Sequence, residues 1–138
     1  MIDEPRNMSR PPRSLEVPGL AHNAPIPLGA KVGNLICSSG IGGKDPATGQ
    51  LPTDAASQAR LAFDNMQRLL DAGGATLADV AKLTVYAKDN SVREAINTEW
   101  LRCFPDPADR PARHIVIQDL QHGMWLQLEF IALLQTQG

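Results

Sequence analysis

The side chains best suited to chemistry lie in the last third of the chain, around Arg113. Arg113 opens a β-branched run at residues 114–117, and a planar guanidinium at the mouth of a strand can bind a carboxylate through two parallel hydrogen bonds. After a turn, alternation places Gln127 and Glu129 on one face of the last strand. The pattern predicts a carboxylate site at Arg113, with a carboxamide or carboxylate of the neighbouring strand facing the bound group.

The remaining ligand-type side chains do not predict a metal site. His22, His114 and His122 lack the short spacings of zinc-binding histidines. Cys37 and Cys103 are far apart and form no CxxC motif. We therefore predict no metal, and two free thiols that pack as small apolar side chains.

Two amphipathic helices are predicted to position the candidate residues. The first begins near Thr53 or Asp54 and ends at the glycine pair 73–74, which supplies the left-handed residue that stops a helix. Its apolar positions recur every three or four residues: Ala59, Ala62, Phe63, Met66, Leu69 and Leu70. The second opens with a capping box between Ser91 and Glu94 and ends before the prolines that follow it.

Strands are predicted around these helices, at residues 33–40 and 81–87, after Arg113, and at the C-terminal end. The order of elements indicates an α+β domain with two helices on one face of a sheet. The other face of such a sheet lacks cover, and self-association as a closed ring of identical subunits would supply it.

Composition sets the limits of the prediction. The chain has 138 residues, 43% of them hydrophobic, which suits one domain with a real core. We predict a flexible N-terminal arm at residues 1–14 and a single domain at residues 15–138. The net charge of −2 gives no basic surface for nucleic acid, and neither a signal peptide nor a membrane span is visible. A cytoplasmic location is expected.

Seven segments in a fixed order carry a resemblance to a known family. The segments are GNLICSSG (33–40), DPATGQLP (45–52), the helix with Gln58 and Asn65, AKLTVYAKD (81–89), Asn97, RPAR (110–113) and LQLEFIA (126–132). In this order and spacing the chain resembles the RidA family (also called the YjgF family), whose small members have a chorismate-mutase-like fold and form homotrimers with a central barrel-like core.

The resemblance implies a site at each subunit interface. There Arg113 would bind the substrate carboxylate, Ser39 and Gly40 would line the pocket, and Asn97 would face it. The best-known branch of the family hydrolyses reactive enamines and imines, such as 2-aminoacrylate, to the keto acid and ammonia without a metal or an organic cofactor. The protein then needs only to fix the carboxylate, order a water and stabilise developing charge.

The chain departs from that branch at several positions. Gln127 stands where the family usually has a glutamate that orients water, and Ile26 and Ile115 replace an aromatic residue and a cysteine. A carboxamide can still position water. His114 or His22 would be available for acid–base chemistry near neutral pH.

Two classes of function remain open. The first is hydrolytic deamination of a 2-aminoacrylate-like or amino-muconate-type acid, with Arg113, Gln127 and His114 as the catalytic residues. The alternative is a non-catalytic trimer that binds a small carboxylate or ketoacid. The acidic isoelectric point and the absence of a basic groove argue against a ribonuclease.

Overall fold

The computed structural model describes residues 10–135. Residues 1–9 of the predicted arm lie outside the described residues, as do residues 136–138. At its C-terminal end the predicted arm meets the sheet, because Ser14–Leu15 forms a short strand and the Arg13 carbonyl accepts a hydrogen bond from the Lys31 amide at 2.8 Å.

The described residues form one mixed sheet and two helices. The strands are β1 (Ser14–Leu15), β2 (Gly29–Val32), β3 (Leu35–Ser38), β4 (Val80–Ala87), β5 (Ala112–Ile117) and β6 (Leu126–Leu133), and the helices are α1 (Ala55–Ala72) and α2 (Arg93–Cys103). Their order across the sheet is β1-β2-β3-β6-β4-β5. β5 runs parallel to β4, and the other neighbours pair antiparallel. The predicted α+β class is confirmed.

Helix α1 begins and ends where the sequence predicts. The Asp54 carboxylate accepts a hydrogen bond from the Ser57 amide at 2.8 Å, which satisfies one of the free donors of the first turn. Gly74 has φ +79°, a conformation that only glycine adopts without strain, and it follows the capping Gly73.

The start of α2 differs from the prediction. Ser91 does not cap the helix, because residues 90–92 form a 3-10 turn before it. Asp89 caps that turn instead, and its carboxylate accepts the Ser91 amide at 2.8 Å. Asp89 and Ser91 both have good capping side chains, and the chain uses Asp89, the earlier of the two, to begin the tighter 3-10 turn.

The core lies between the helices and one face of the sheet. Alternation places Leu126, Leu128 and Phe130 of β6 on this face, where all three are buried with Leu83 and Val85 of β4. Burial of such side chains contributes on the order of 1.5–3 kcal/mol each. The prediction of two helices on one sheet face is therefore confirmed.

Two buried amides of α1 attach three loop segments, which precede β6, follow β3 and precede α1 itself. Gln58 donates to the Pro52 and Gly123 carbonyls and accepts from the Trp125 amide. Asn65 donates to the Gly42 carbonyl at 2.9 Å and to the Lys44 carbonyl at 2.8 Å. Because the side chains of Gln58 and Asn65 are fully buried, their polar atoms would destabilise the folded state if they were left without hydrogen-bond partners, and these bonds satisfy them.

Nothing in residues 10–135 covers the opposite face of the sheet. Four apolar side chains there are between 41% and 60% exposed: Val32, Leu35, Ile131 and Leu133. Their register places them side by side on β2, β3 and β6. We call these four residues the apolar band.

Candidate functional site

Arg113 lies at the edge of the sheet, where β5 faces α2. Its guanidinium donates to the Asn97 carboxamide oxygen at 2.8 Å, and its central carbon lies 4.9 Å from the centre of the Trp100 ring. Asn97 and Trp100 are three residues apart on α2 and therefore share a face. Among residues 10–135, one hydrogen bond and one ring contact hold the guanidinium, and its other N–H donors have no partner there.

No carboxylate in the described part of the chain neutralises the charge of Arg113. Within residues 10–135, Arg113 forms no ion pair with a carboxylate. Burial lowers the pKa of Arg113, and the positive charge of Arg93 lowers this pKa further. An arginine nevertheless stays protonated at neutral pH, so the site holds a fixed cation suited to an anion.

Gly40 and Gln127 form a second group of candidate residues. A side chain at position 40 would overlap the Gln127 carboxamide, so glycine allows Gln127 to lie against the backbone there. The isolated bridge between Ile41 and Leu128 brings these two segments together. Ser39 lies beside Gly40 and is anchored, because its hydroxyl donates to the Pro27 carbonyl at 2.8 Å.

The structure corrects one prediction about the site. The strand next to Arg113 is β4, not β6, because β4 lies between them. Arg113 is level with the buried Leu83, whereas Gln127 is level with Tyr86, three residues further along β4. Residues an odd number of positions apart on a strand point to opposite faces of the sheet. Arg113, level with Leu83, therefore points toward the helices, and Gln127, level with Tyr86, points toward the uncovered face. One chain does not bring them together.

The two candidate histidines occupy different surroundings. His114 follows Arg113 on β5, so it points to the uncovered face, where it is exposed and level with Thr84. The Nε2 atom of His22 is shielded from solvent and has no hydrogen-bond partner among residues 10–135.

The uncovered face also carries a pair that the sequence did not predict. The Tyr86 hydroxyl donates to the Glu129 carboxylate at 2.8 Å. This hydrogen bond and the negative charge of Glu129 raise the pKa of Tyr86. The contact follows from their diagonal positions on paired strands, which the sequence reveals only once the register is known.

Trp100 is a second residue whose role was missed. It contacts Phe104, with ring centres 4.8 Å apart, as well as the Arg113 guanidinium. The signal that identifies it is the three-residue spacing from Asn97, since such residues are neighbours on a helix.

The described part of the chain adds two negative findings. No group of three or more histidine, cysteine or acidic side chains in residues 10–135 has the arrangement of a metal site. In the same residues, no helix is both long and apolar enough to cross a membrane.

Comparisons with known proteins give consistent matches. A family model described as Endoribonuclease L-PSP matches residues 22–134. The 2-iminobutanoate/2-iminopropanoate deaminase of Escherichia coli K12 is 34% identical over 118 residues, which are 80% of this chain and 92% of that protein. A RutC family protein of Haemophilus influenzae is 36% identical over 105 residues, 74% of this chain and 81% of that protein.

Solved structures match over similar lengths. RidA from an Antarctic Psychrobacter species has a TM-score of 0.82 at 28% identity, over 88% of this chain and 99% of that one. TdcF of Escherichia coli with bound serine also has a TM-score of 0.82, at 27% identity over 89% and 99% of the two chains.

Proposed function

Because this chain belongs to the RidA (YjgF) family, matched by the Endoribonuclease L-PSP model, we propose that it hydrolyses enamine or imine carboxylic acids to the oxo acid and ammonia. The observation that carries the proposal is the Arg113 guanidinium, which Asn97 and Trp100 hold in place while no carboxylate of the described chain pairs with it. The E. coli relative named a 2-iminobutanoate/2-iminopropanoate deaminase supports the reaction class.

Arg113 is proposed to bind the substrate carboxylate. Its remaining N–H groups offer a planar fork, and a bidentate contact fixes both the position and the plane of the substrate. Asn97 orients this fork and could also donate through its amide nitrogen. The relative TdcF binds serine, an amino acid that carries the same carboxylate group.

Gln127 is proposed to position the attacking water, with Ser39 and Gly40 lining the pocket. Because Arg113 and Gln127 point to opposite faces of one sheet, we propose that a second copy of the chain supplies one of them. The apolar band supports such an assembly, since its four exposed side chains would be covered by a neighbouring subunit. We propose a homotrimer with one site at each interface.

The reaction requires little of the protein beyond position and electrostatics. An enamine gains a proton at carbon and loses one from nitrogen, which gives the imine, and water then adds to the C=N carbon. The resulting carbinolamine expels ammonia and leaves a C=O bond, so imine and water are converted to oxo acid and ammonia. Arg113 fixes the acid, Gln127 orders the water, and His114, from the uncovered face, is proposed to carry protons.

The proposal is tested by measuring ammonia release from imines that an amino acid oxidase generates in situ. Wild-type protein should accelerate imine loss well above the spontaneous rate, and Arg113→Ala should remove most of this acceleration. Arg110→Ala is a suitable control, because Arg110 donates to the Phe104 and Pro105 carbonyls and not to the site. Equal rates with and without wild-type protein would refute the proposal.

A second candidate function is a non-catalytic trimer that binds a small carboxylate or ketoacid. The observation that favours it is Gln127, which lacks the acid–base chemistry of a carboxylate. Gln127→Glu distinguishes the two functions. A binding protein should gain deaminase activity when an acid is introduced, whereas an enzyme adapted to glutamine should lose its own activity.

A further inference from the structure

We propose that Arg93 binds a second carboxylate, so that the substrate is an enamine or imine acid whose side chain ends in another acidic group. The inference rests on the proposed function, because it takes Arg113 as the site of the first carboxylate. It adds a specificity-determining residue on α2 that the sequence analysis assigned only to a capping segment.

Arg93 shares a face of α2 with the residues that hold Arg113. Arg93, Asn97 and Trp100 follow one another at spacings of four and three residues, which aligns them along one side of the helix. Asn97 and Trp100 both contact the Arg113 guanidinium. The Arg93 side chain therefore begins one turn from Asn97, on the side of α2 that faces β5.

The two guanidiniums are held in similar ways. Arg93 donates through Nε to the Asn90 carboxamide oxygen at 2.9 Å, as Arg113 donates to that of Asn97 at 2.8 Å. A carboxamide orients a cation without neutralising it. Within residues 10–135 neither arginine forms an ion pair, and the positive charge of Arg93 lowers the pKa of Arg113 after the larger effect of burial. Two neighbouring uncompensated cations indicate an anion with two acidic groups.

Helix stability does not explain Arg93. It is the first residue of α2, where the partial positive charge of the helix N-terminus makes a cation unfavourable. Glu94 has the favourable sign for this position, but it is rotated by roughly 100° around the helix from Arg93. A ligand with a second carboxylate would neutralise a cation that the fold itself does not need.

The test uses two imines that differ only by the second carboxylate, 2-iminosuccinate and 2-iminopropanoate. Both are generated in situ, from aspartate and alanine, by amino acid oxidases. We expect wild-type protein to have the higher kcat/KM for 2-iminosuccinate. Arg93→Gln should lower the ratio of the two kcat/KM values by tenfold or more, whereas Arg113→Gln should lower both values.

Arg60→Gln serves as the matched control. It removes the same charge from an exposed position on α1, where Arg60 lies 3.7 Å from Asp64 and 3.9 Å from Glu99. The ratio should not change in this variant. An equal loss for both imines in Arg93→Gln, together with a lower melting temperature, would overturn the inference and identify Arg93 as an interface contact.

Calorimetry separates failure of this inference from failure of the proposed function. Succinate and propionate are compared as ligands of the wild-type protein and of Arg93→Gln. Tighter binding of succinate that Arg93→Gln weakens would support the second carboxylate site even if neither imine is hydrolysed. Equal affinity for the two acids in wild-type protein would overturn it, even if the protein is an active deaminase.

Discussion

Arg113→Lys is the substitution that most directly tests the carboxylate site. It keeps the positive charge but replaces the planar fork by an ammonium, which cannot form two parallel hydrogen bonds to one carboxylate. If charge alone recruits the ligand, the variant should bind almost normally. If the fork is needed, affinity should fall although the charge is unchanged.

The expected losses can be worked out from the contacts. A hydrogen bond to a charged group contributes on the order of 1.5–3 kcal/mol. Loss of one such bond from the ligand should weaken binding by roughly ten- to a hundredfold. The folded chain loses the 2.8 Å bond to Asn97 and part of the Trp100 contact, for which we expect about 1–2 kcal/mol of stability.

The assay is calorimetric titration with small carboxylates, together with urea unfolding of each variant. Arg110→Lys is the control, because it makes the same chemical change three residues upstream, where the guanidinium donates to the Phe104 carbonyl at 2.8 Å. Normal ligand affinity in Arg113→Lys, combined with dissociation of the assembly, would show that Arg113 is an interface residue and would refute our assignment.

Three further predictions concern the surrounding structure. Asn65→Leu should destabilise the fold by roughly 2–4 kcal/mol in urea unfolding, because the fully buried Asn65 loses its part-buried hydrogen bonds to two loop carbonyls; a change below about 0.5 kcal/mol would contradict this. Gly40→Ala should lower deaminase kcat with little change in melting temperature, because the added methyl displaces the Gln127 carboxamide, and full activity would remove Gln127 from the mechanism. Tyr86 has its pKa raised above 10.0 by Glu129, so the folded state holds this proton more tightly than the unfolded chain. This stabilisation is complete below pH 10 and is lost as the pH rises through the raised pKa, so the melting temperature of wild-type protein should fall more steeply above pH 10 than that of Tyr86→Phe; parallel curves would contradict the linkage.

The parts of the fold set by neighbouring residues could be predicted from the sequence. Helix α1 depends on a local apolar period, with Asp54 at its start and Gly74 just beyond its end, and each of these signals lies within a few turns. The position of β6 depends on pairing between distant segments. Its insertion between β3 and β4 leaves no local signature, so β6 was predicted to lie beside β5.

The same distinction applies to the candidate site. The residue type and position of Arg113 were enough to make it a candidate, and in the structure its guanidinium donates a hydrogen bond to Asn97, but the binding role of both residues stays a prediction. The separation of Arg113 from Gln127 depends on the register of three strands and could not be read from alternation alone. Asp89, and not the predicted Ser91, is the capping residue, and it caps the 3-10 turn that precedes α2. Both residues have suitable side chains, and the choice depends on the turn between them.

The opposite orientations of Arg113 and Gln127 have a genetic consequence. If each site takes one of these residues from each of two subunits, then chains altered at Arg113 and chains altered at Gln127 fail for different reasons. Assembled together, they should complement one another, because some interfaces in a mixed trimer would combine an intact Arg113 with an intact Gln127. Two inactive alleles expressed in one cell would then restore part of the activity that neither provides alone.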